Sequence, residues 1–322
     1  MTTGFARFLV ALLAAGFTAT VSAQSYPVRQ VRIIVPYTAG GTTDIVARIM
    51  AQKLTEAFGQ QVLVENRPGG GGNTGSDLVA KAPPDGYALL MGSNGPLAAN
   101  ATLFKKMPFD GIKDFAAVTL IADVPNMLVI HPSLPVRNLK DFIAFVRARP
   151  GKLNFGSTGN GTAAHLTGEL FKQMAKLDAL HIPFKGAEAL TAVMGGEVEF
   201  MFSTMPPAIP LVKGGKLKAL GVSSAKRSAA MPELVTMSEA GLPGFQSSAW
   251  YGIVVPAATP RPIIDRLNTE ILKILKQADV RERMIGQGAE PVGNSPEEFG
   301  AYIKSETVRW GKVIQISGAK TD

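Results

Sequence analysis

Cysteine is absent from all 322 residues. That excludes a disulfide framework, a thiolate nucleophile or metal ligand, and a lipid anchor on an N-terminal cysteine. Histidine is scarce: His131, His165 and His181 are the full set, and neither His-Glu-x-x-His nor Gly-x-Ser-x-Gly occurs. A P-loop is excluded too, because Gly151-Lys152, Gly215-Lys216 and Gly311-Lys312 are each followed by Leu or Val rather than Ser or Thr. Charged residues are only 18% of the chain, and no run of five Lys or Arg occurs. The formal net charge of +8 is therefore spread thinly, and a nucleic-acid partner is not expected. No fixed-period repeat is visible, and past the N-terminus no stretch reaches the roughly 18 unbroken apolar residues of a membrane helix.

What is present begins with a leader. Arg7 is the one charge in the first 23 residues; the apolar run Phe8 to Val21 follows, and Val21-Ser22-Ala23 ends it. A short basic region, an apolar stretch and a small-residue cleavage site form a secretory signal. Cleavage after Ala23 leaves a chain beginning Gln24-Ser25-Tyr26 with a formal net charge of +7, and a location outside the cytoplasm, in a bacterium the periplasm. Hydrophobic residues at 46% are enough to bury a sizeable core.

Strand and helix patterns alternate. "VRIIV" (31–35) predicts a buried strand, 44–58 a helix, "QVLVEN" (61–66) a strand, 76–82 a helix and "ALLMG" (88–92) a strand. This order implies a parallel sheet with helices on its faces. At 117–132 two apolar runs flank Asp123-Val124-Pro125, as in a long strand passing between two lobes. The alternation then resumes, with strands at 153–156, 179–184, 198–203 and 217–224, and helices at 139–149, 162–175, 187–194 and 207–213. "SAWYGIVVP" (248–256) is a second candidate crossing, and the C-terminal part is helical, with a capping box from Ser295 to Glu298. The fold class expected is α/β, a clamshell of two βαβ lobes joined by two crossing strands. Lobe 1 is discontinuous, 24–122 and 250–322; lobe 2 is 123–249. Ligands of open α/β sheets sit beyond the carboxyl ends of the strands, which puts the site in the cleft.

Gly70-Gly71-Gly72-Asn73-Thr74-Gly75 matches G-x-G-x-x-G in form. It does not follow the first strand, and no acid ends the next one, so a turn with close helix–strand packing is expected rather than a dinucleotide site. Two other loops form a matched pair: Thr38 to Asp44 after the first strand, and Ser157 to Thr162 after "NFG". Each is a strand, a small-residue loop and a helix start, offering free N–H groups, hydroxyls and the positive end of a helix dipole. Facing one another, one per lobe, they could grip the two ends of a small dicarboxylate, or one carboxylate from both sides; read singly, each is a helix start capped by Thr42 or Thr162. Asp44 has two readings: a first-turn carboxylate paired with Arg48 at i+4, or a reader of a ligand donor. His131 and His181 read as structural, and His165 as structural or a ligand contact. Metal and cofactor sites are not expected.

The stretches "VPYTAGGTTDIVAR", "VENRPGGGGNTGSD", "PPDGYALLMGS", "FGSTGNGTAAHLTGELF", "AGLPGFQSSAWYGIVVPAATP" and "LNTEILKIL", in this order, resemble the Bug family of extracytoplasmic solute receptors over about Tyr26 to Ile316. Those receptors are the substrate-binding components of tripartite tricarboxylate transporters. The resemblance implies a periplasmic-binding-protein fold, a small carboxylate, amino acid or aromatic acid as ligand, and membrane transporter subunits as partners; a monomer without catalytic activity is expected. Carried over by motif, the first loop supplies Tyr37, Ala39, Gly40, Gly41, Thr42 and Asp44, the third strand Ser93 and Asn94, and the second loop Ser157, Thr158, Gly159 and Thr162. Ser203 stands where relatives usually carry an acid, which disfavours a cationic ligand group. Two alternatives remain: a secreted enzyme acting on a carboxylate through a Ser157–His165 pair, and a sensor that docks on a membrane signalling protein.

Overall fold

The structure is a computed structural model that describes residues 26–321. The expected signal segment and its cleavage point lie outside the described residues. Strand β1 (Val31–Val35) buries every side chain but Arg32. Alternate residues enter opposite cores, Ile33 and Val35 one and Ile34 the other. A strand covered on both faces needs a continuous apolar run, which is what "VRIIV" supplies. Helix α1 (Thr42–Phe58) packs Val46, Ile49, Met50 and Leu54 inward and ends at Gly59, whose left-handed backbone (φ 63°) lets its N–H reach Thr55 O. Strand β2 (Val62–Asn66), helix α2 (Asn73–Ala80) and strand β3 (Ala88–Ser93) complete a parallel β2-β1-β3 unit. A helical segment then runs from Gly95 to Leu103, ending in α3 (Asn100–Leu103). Sequence reading did not separate it, because "GPLAAN" is small and apolar without a helical period.

Strand β4 (Phe115–Ile130) joins the two lobes. Through Pro125 it pairs antiparallel with β9 (Ser248–Pro256); from Asn126 it pairs with β7 (Phe200–Thr204) and, one residue on, with β8 (Lys218–Val222). The two apolar runs expected at 117–132 are thus one strand. The second lobe alternates α4 (Leu139–Arg147), β5 (Asn154–Ser157), α5 (Ala163–Ala175), β6 (Leu180–Pro183), α6 (Glu188–Gly195), β7, α7 (Met205–Lys213) and β8. The chain returns at Ser247, whose N–H donates to Ser223 O, and the next residue, Ser248, pairs with Pro125. The sheet path is β2-β1-β3-β9-β4-β7-β5-β6.

One second-lobe core stacks Phe142, Phe155, Phe171, Phe200, Phe202 and Phe245; Met127, Val129 and Met201 face the other, under α6. The C-terminal elements α8 (Arg261–Leu275), α9 (Ala278–Gly286), β10 (Glu290–Pro291) and α10 (Pro296–Ser317) belong with the first lobe. The capping box forms as expected: Ser295 N donates to Glu298 Oε2 at 2.9 Å, and Glu298 N to Ser295 Oγ at 3.2 Å. Among the described residues no helix is long and apolar enough to cross a membrane.

Candidate functional site

The carboxyl ends of β1, β2, β3, β5, β6 and β7 converge on a cavity of about 490 Å³ between the lobes. Its volume lies in the range of small-molecule sites.

The first wall is the loop from β1 into α1. The N-cap of α1 is Gly41, not Thr42, and no side chain caps it. Thr42 is instead the first helical residue, and its Oγ1 lies 2.7 Å from Thr204 Oγ1 of the opposite lobe. The first-turn N–H groups therefore receive no side-chain cap, and the helix end keeps its affinity for an anion. Tyr37 OH lies 3.0 Å from Ser93 Oγ; burial pushes its pKa up to about 12, against the lowering effect of Ser93. Burial raises Tyr251 as well. Both phenols stay neutral and able to donate at ordinary pH.

The second wall is the loop from β5 into α5. Here the cap is as expected: Thr162 Oγ1 donates to Gly159 O at 2.7 Å and accepts from His165 N at 3.5 Å. Two histidines brace the loop from behind. His165 Nδ1 accepts from Gly161 N at 3.1 Å, and Nε2 of His181 lies 2.6 Å from Ser157 Oγ. The two rings stack with centroids 3.9 Å apart. Burial, then Lys172, lowers the pKa of His165 to about 4, and burial lowers His181 further, so both are neutral. The Ser157–His165 pair that the alternative enzyme reading needs does not form, since the hydroxyl bonds to His181 and is buried outside the cavity lining.

The lobes touch around the cavity. An ideal Cβ at Gly71 would lie 2.5 Å from Asn160 O, and one at Gly186 would lie 2.0 Å from Thr38 Oγ1. Both residues have positive φ, 64° and 56°, so the backbone and the close approach require glycine alike.

Of the residues expected at the site, Tyr37, Gly40, Gly41, Thr42, Ser93, Asn94, Thr158, Gly159, Thr162 and Ser203 line the cavity. Asn94 does so with its amide committed elsewhere: it accepts from Trp250 N at 2.9 Å and donates to Ser248 O at 3.2 Å. Ala39, Asp44 and Ser157 fall outside the lining. Ala39 faces solvent. Asp44 is buried, and its carboxylate accepts from Gly40 N (3.0 Å), Arg48 Nε (2.9 Å) and Asn66 Nδ2 (3.0 Å). Burial would raise its pKa, but Arg48 and these donors hold it below the usual carboxylate value.

Sequence reasoning missed part of the lining. The glycine run was expected as a turn with close helix–strand packing; Pro68 to Gly72 also form a wall of the cavity. Gly70, Gly71 and Gly72 all have positive φ, so this wall is bare backbone by necessity. Phe184, Lys185 and Gly186 follow β6 and also line it. The rule that ligands lie beyond strand carboxyl ends, applied to every strand, would have found them. Among the described residues that line the cavity, Lys185 is the one charged side chain, and none is Asp or Glu.

The model of the tripartite tricarboxylate transporter family receptor matches residues 46–319. The chain belongs to that family. The chain is also 38% identical over 308 residues to Protein BugT of Bordetella pertussis, covering 95% of this chain and 94% of that one. Among solved structures, R. palustris Rpa4515 with adipate superposes with a TM-score of 0.88 at 37% identity, covering 91% of this chain and 98% of that one. MatC from Rhodopseudomonas palustris with bound malate gives 0.84 at 34% identity, covering 90% and 100%. Family membership and these neighbours bear out the Bug resemblance and the periplasmic-binding-protein clamshell read from the sequence.

Proposed function

We propose that the chain is a receptor that captures a small carboxylate in the cleft by closure of its lobes and hands it to membrane subunits of a tripartite transporter. The observation that carries this reading is the chemistry of the lining: uncapped helix N–H groups, neutral hydroxyls and glycine backbone, with one lysine and no carboxylate. Such a site favours an anion, and closure strengthens each donated bond by excluding water. Adipate and malate in the related structures support a carboxylate as its class. The moving bodies are residues 24–122 with 250–322, and residues 123–249. In support, β4 changes partners at Pro125–Asn126. The mature chain begins at Gln24 and works as a monomer in the periplasm. It binds and releases without chemistry, a reading supported by the Ser157 hydroxyl being bonded to His181, outside the cavity lining, rather than to His165.

Thermal-shift screening of the purified mature chain tests this proposal. A ligand at 100 times its Kd stabilises by about 2.7 kcal/mol, which is several degrees in Tm. Carboxylates should raise Tm and sugars should not; a hit confined to sugars or metal ions would end the proposal.

A further inference from the structure

We propose that Asn160 is a site of covalent self-modification: the Gly161 nitrogen closes on the Asn160 side chain to form a succinimide, which water opens to aspartate or isoaspartate. The sequence holds two Asn-Gly pairs, Asn94-Gly95 and Asn160-Gly161. A glycine after the asparagine leaves the attacking nitrogen unshielded, since no Cβ stands beside it. The first pair is locked: Asn94 is buried, and its carboxamide accepts from Trp250 N at 2.9 Å and donates to Ser248 O at 3.2 Å. The second pair is free to react. Asn160 is half-buried, and its carboxamide has no hydrogen-bond partner among the described residues. It lines a second cavity, of about 580 Å³, behind the second loop. A base already touches the attacking atom. Gly161 N donates to His165 Nδ1 at 3.1 Å, which fixes the ring lone pair on that nitrogen, and His165 lines the same cavity. Burial keeps the imidazole neutral at ordinary pH, so the lone pair is present. In the reaction the Gly161 nitrogen passes its proton to His165 Nδ1 and bonds to Asn160 Cγ. The Cγ–Nδ2 bond breaks, and the leaving nitrogen takes that proton back and departs as ammonia. Water from the second cavity then opens the imide, at Cγ to give aspartate or at the main-chain carbonyl to give isoaspartate. This part of the loop is fitted tightly to the first lobe: Asn160 O abuts Gly71, and an ideal Cβ at Gly161 would lie 2.1 Å from Asn100 Oδ1. Isoaspartate lengthens the main chain there by a methylene and unseats it.

The test is peptide mapping by mass spectrometry of the mature protein, Asn160→Gln and His165→Gln during incubation at about pH 8, where the imidazole is neutral. In the unaltered protein the peptide carrying Asn160 should gain about 1 Da and accept methyl groups from an isoaspartyl methyltransferase. The gain should be at least about 10-fold faster than at Asn94, because only Asn160 has its nucleophile, base and free carboxamide together. Asn160→Gln, whose longer side chain disfavours the ring, should show no gain at this position. His165→Gln separates a base from a brace: loss of the base slows the gain at Asn160 by about 10-fold or more, whereas loss of a brace alone loosens the loop and quickens it. A melting curve shows that each variant is folded during the incubation, and the unaltered protein decides the site by itself where a variant is not. Asn160 reacting no faster than Asn94 overturns the proposal; an unslowed gain in folded His165→Gln overturns the role of His165.

Discussion

Thr42 and Thr204 place their hydroxyl oxygens 2.7 Å apart although 162 residues separate them in sequence. One begins α1 in the first lobe; the other ends β7 in the second. The bond crosses the cleft, so under the proposed closure it is made only when the lobes close. A neutral hydrogen bond contributes about 1 kcal/mol net. Thr204→Val should therefore shift the open–closed balance by about 5-fold and weaken ligand binding by up to that factor, with Tm of the free protein nearly unchanged. Titration calorimetry beside a melting curve checks this; unchanged affinity would remove the pair from closure.

Gly71 makes the stronger version of the same argument. A methyl at this position would meet the Asn160 carbonyl at 2.5 Å, and a backbone atom cannot swing aside. Gly71→Ala should hold the lobes apart, reduce affinity at least about 10-fold, and cost roughly 1 kcal/mol from its positive φ. Small-angle scattering with saturating ligand should then show no compaction, where the unaltered protein contracts.

Asp44 is locked by Gly40, Arg48 and Asn66 rather than aimed at the ligand. Asp44→Asn should destabilise the fold by about 1–3 kcal/mol. Affinity at a temperature where the variant is folded should stay within about 3-fold. Because its folded pKa is lowered, the stabilisation from Asp44 is present above the unfolded value of about 3.9 and is lost as pH falls below it. A large loss of affinity at unchanged Tm would make Asp44 a ligand contact after all.

The histidine stack gives a pH dependence of its own. The unfolded chain protonates His165 near pH 6.5, the folded chain only near 4. Its neutral form thus contributes stability that is complete above about pH 6.5 and declines as pH falls towards 4, by about 3 kcal/mol for this group alone. Protonated Nδ1 could no longer accept from Gly161 N, so the second loop should loosen with it. Lys172 and Glu169, which pair with one another at 3.0 Å, are the charges on the same helix, and His181 stacks against the ring. Melting curves from pH 4 to 8 should be flatter for His165→Asn than for the unaltered chain; equal slopes would contradict the account.

The strands were legible because both faces of each half-sheet are covered, which forces runs such as "VRIIV" and "SAWYGIVVP" to be apolar throughout. The two matched loops were legible for a related reason: free N–H groups at a helix start need small residues and hydroxyls around them. What escaped the sequence depends on contacts between distant residues. Thr42 has the chemistry of an N-cap, yet the extended backbone places the cap at Gly41, and the Thr42 hydroxyl, already inside the helix, meets Thr204 of the other lobe. Ser157 lies in a loop that suggests a ligand contact, but His181, 24 residues on, turns its hydroxyl away from the cleft. The glycine run was legible as a turn with close helix–strand packing, seen where Gly75 meets Pro36, but its place as a backbone wall of the cavity was not, because bare backbone leaves no side chain to recognise.

The most direct test of the central claim, that the cleft binds a carboxylate through its loop backbones, is titration of the best acid from the thermal-shift panel against its neutral amide, in the unaltered protein and in Gly41→Val. At Gly41 φ is −78° and an ideal Cβ would touch only Thr38 O, at 3.7 Å, so the variant should fold while its side chain obstructs the loop. The account predicts one-to-one binding of the acid, at least about 100-fold weaker binding of the amide, and no measurable heat from the acid with Gly41→Val. Equal binding of acid and amide, or undiminished affinity in the folded variant, would contradict it.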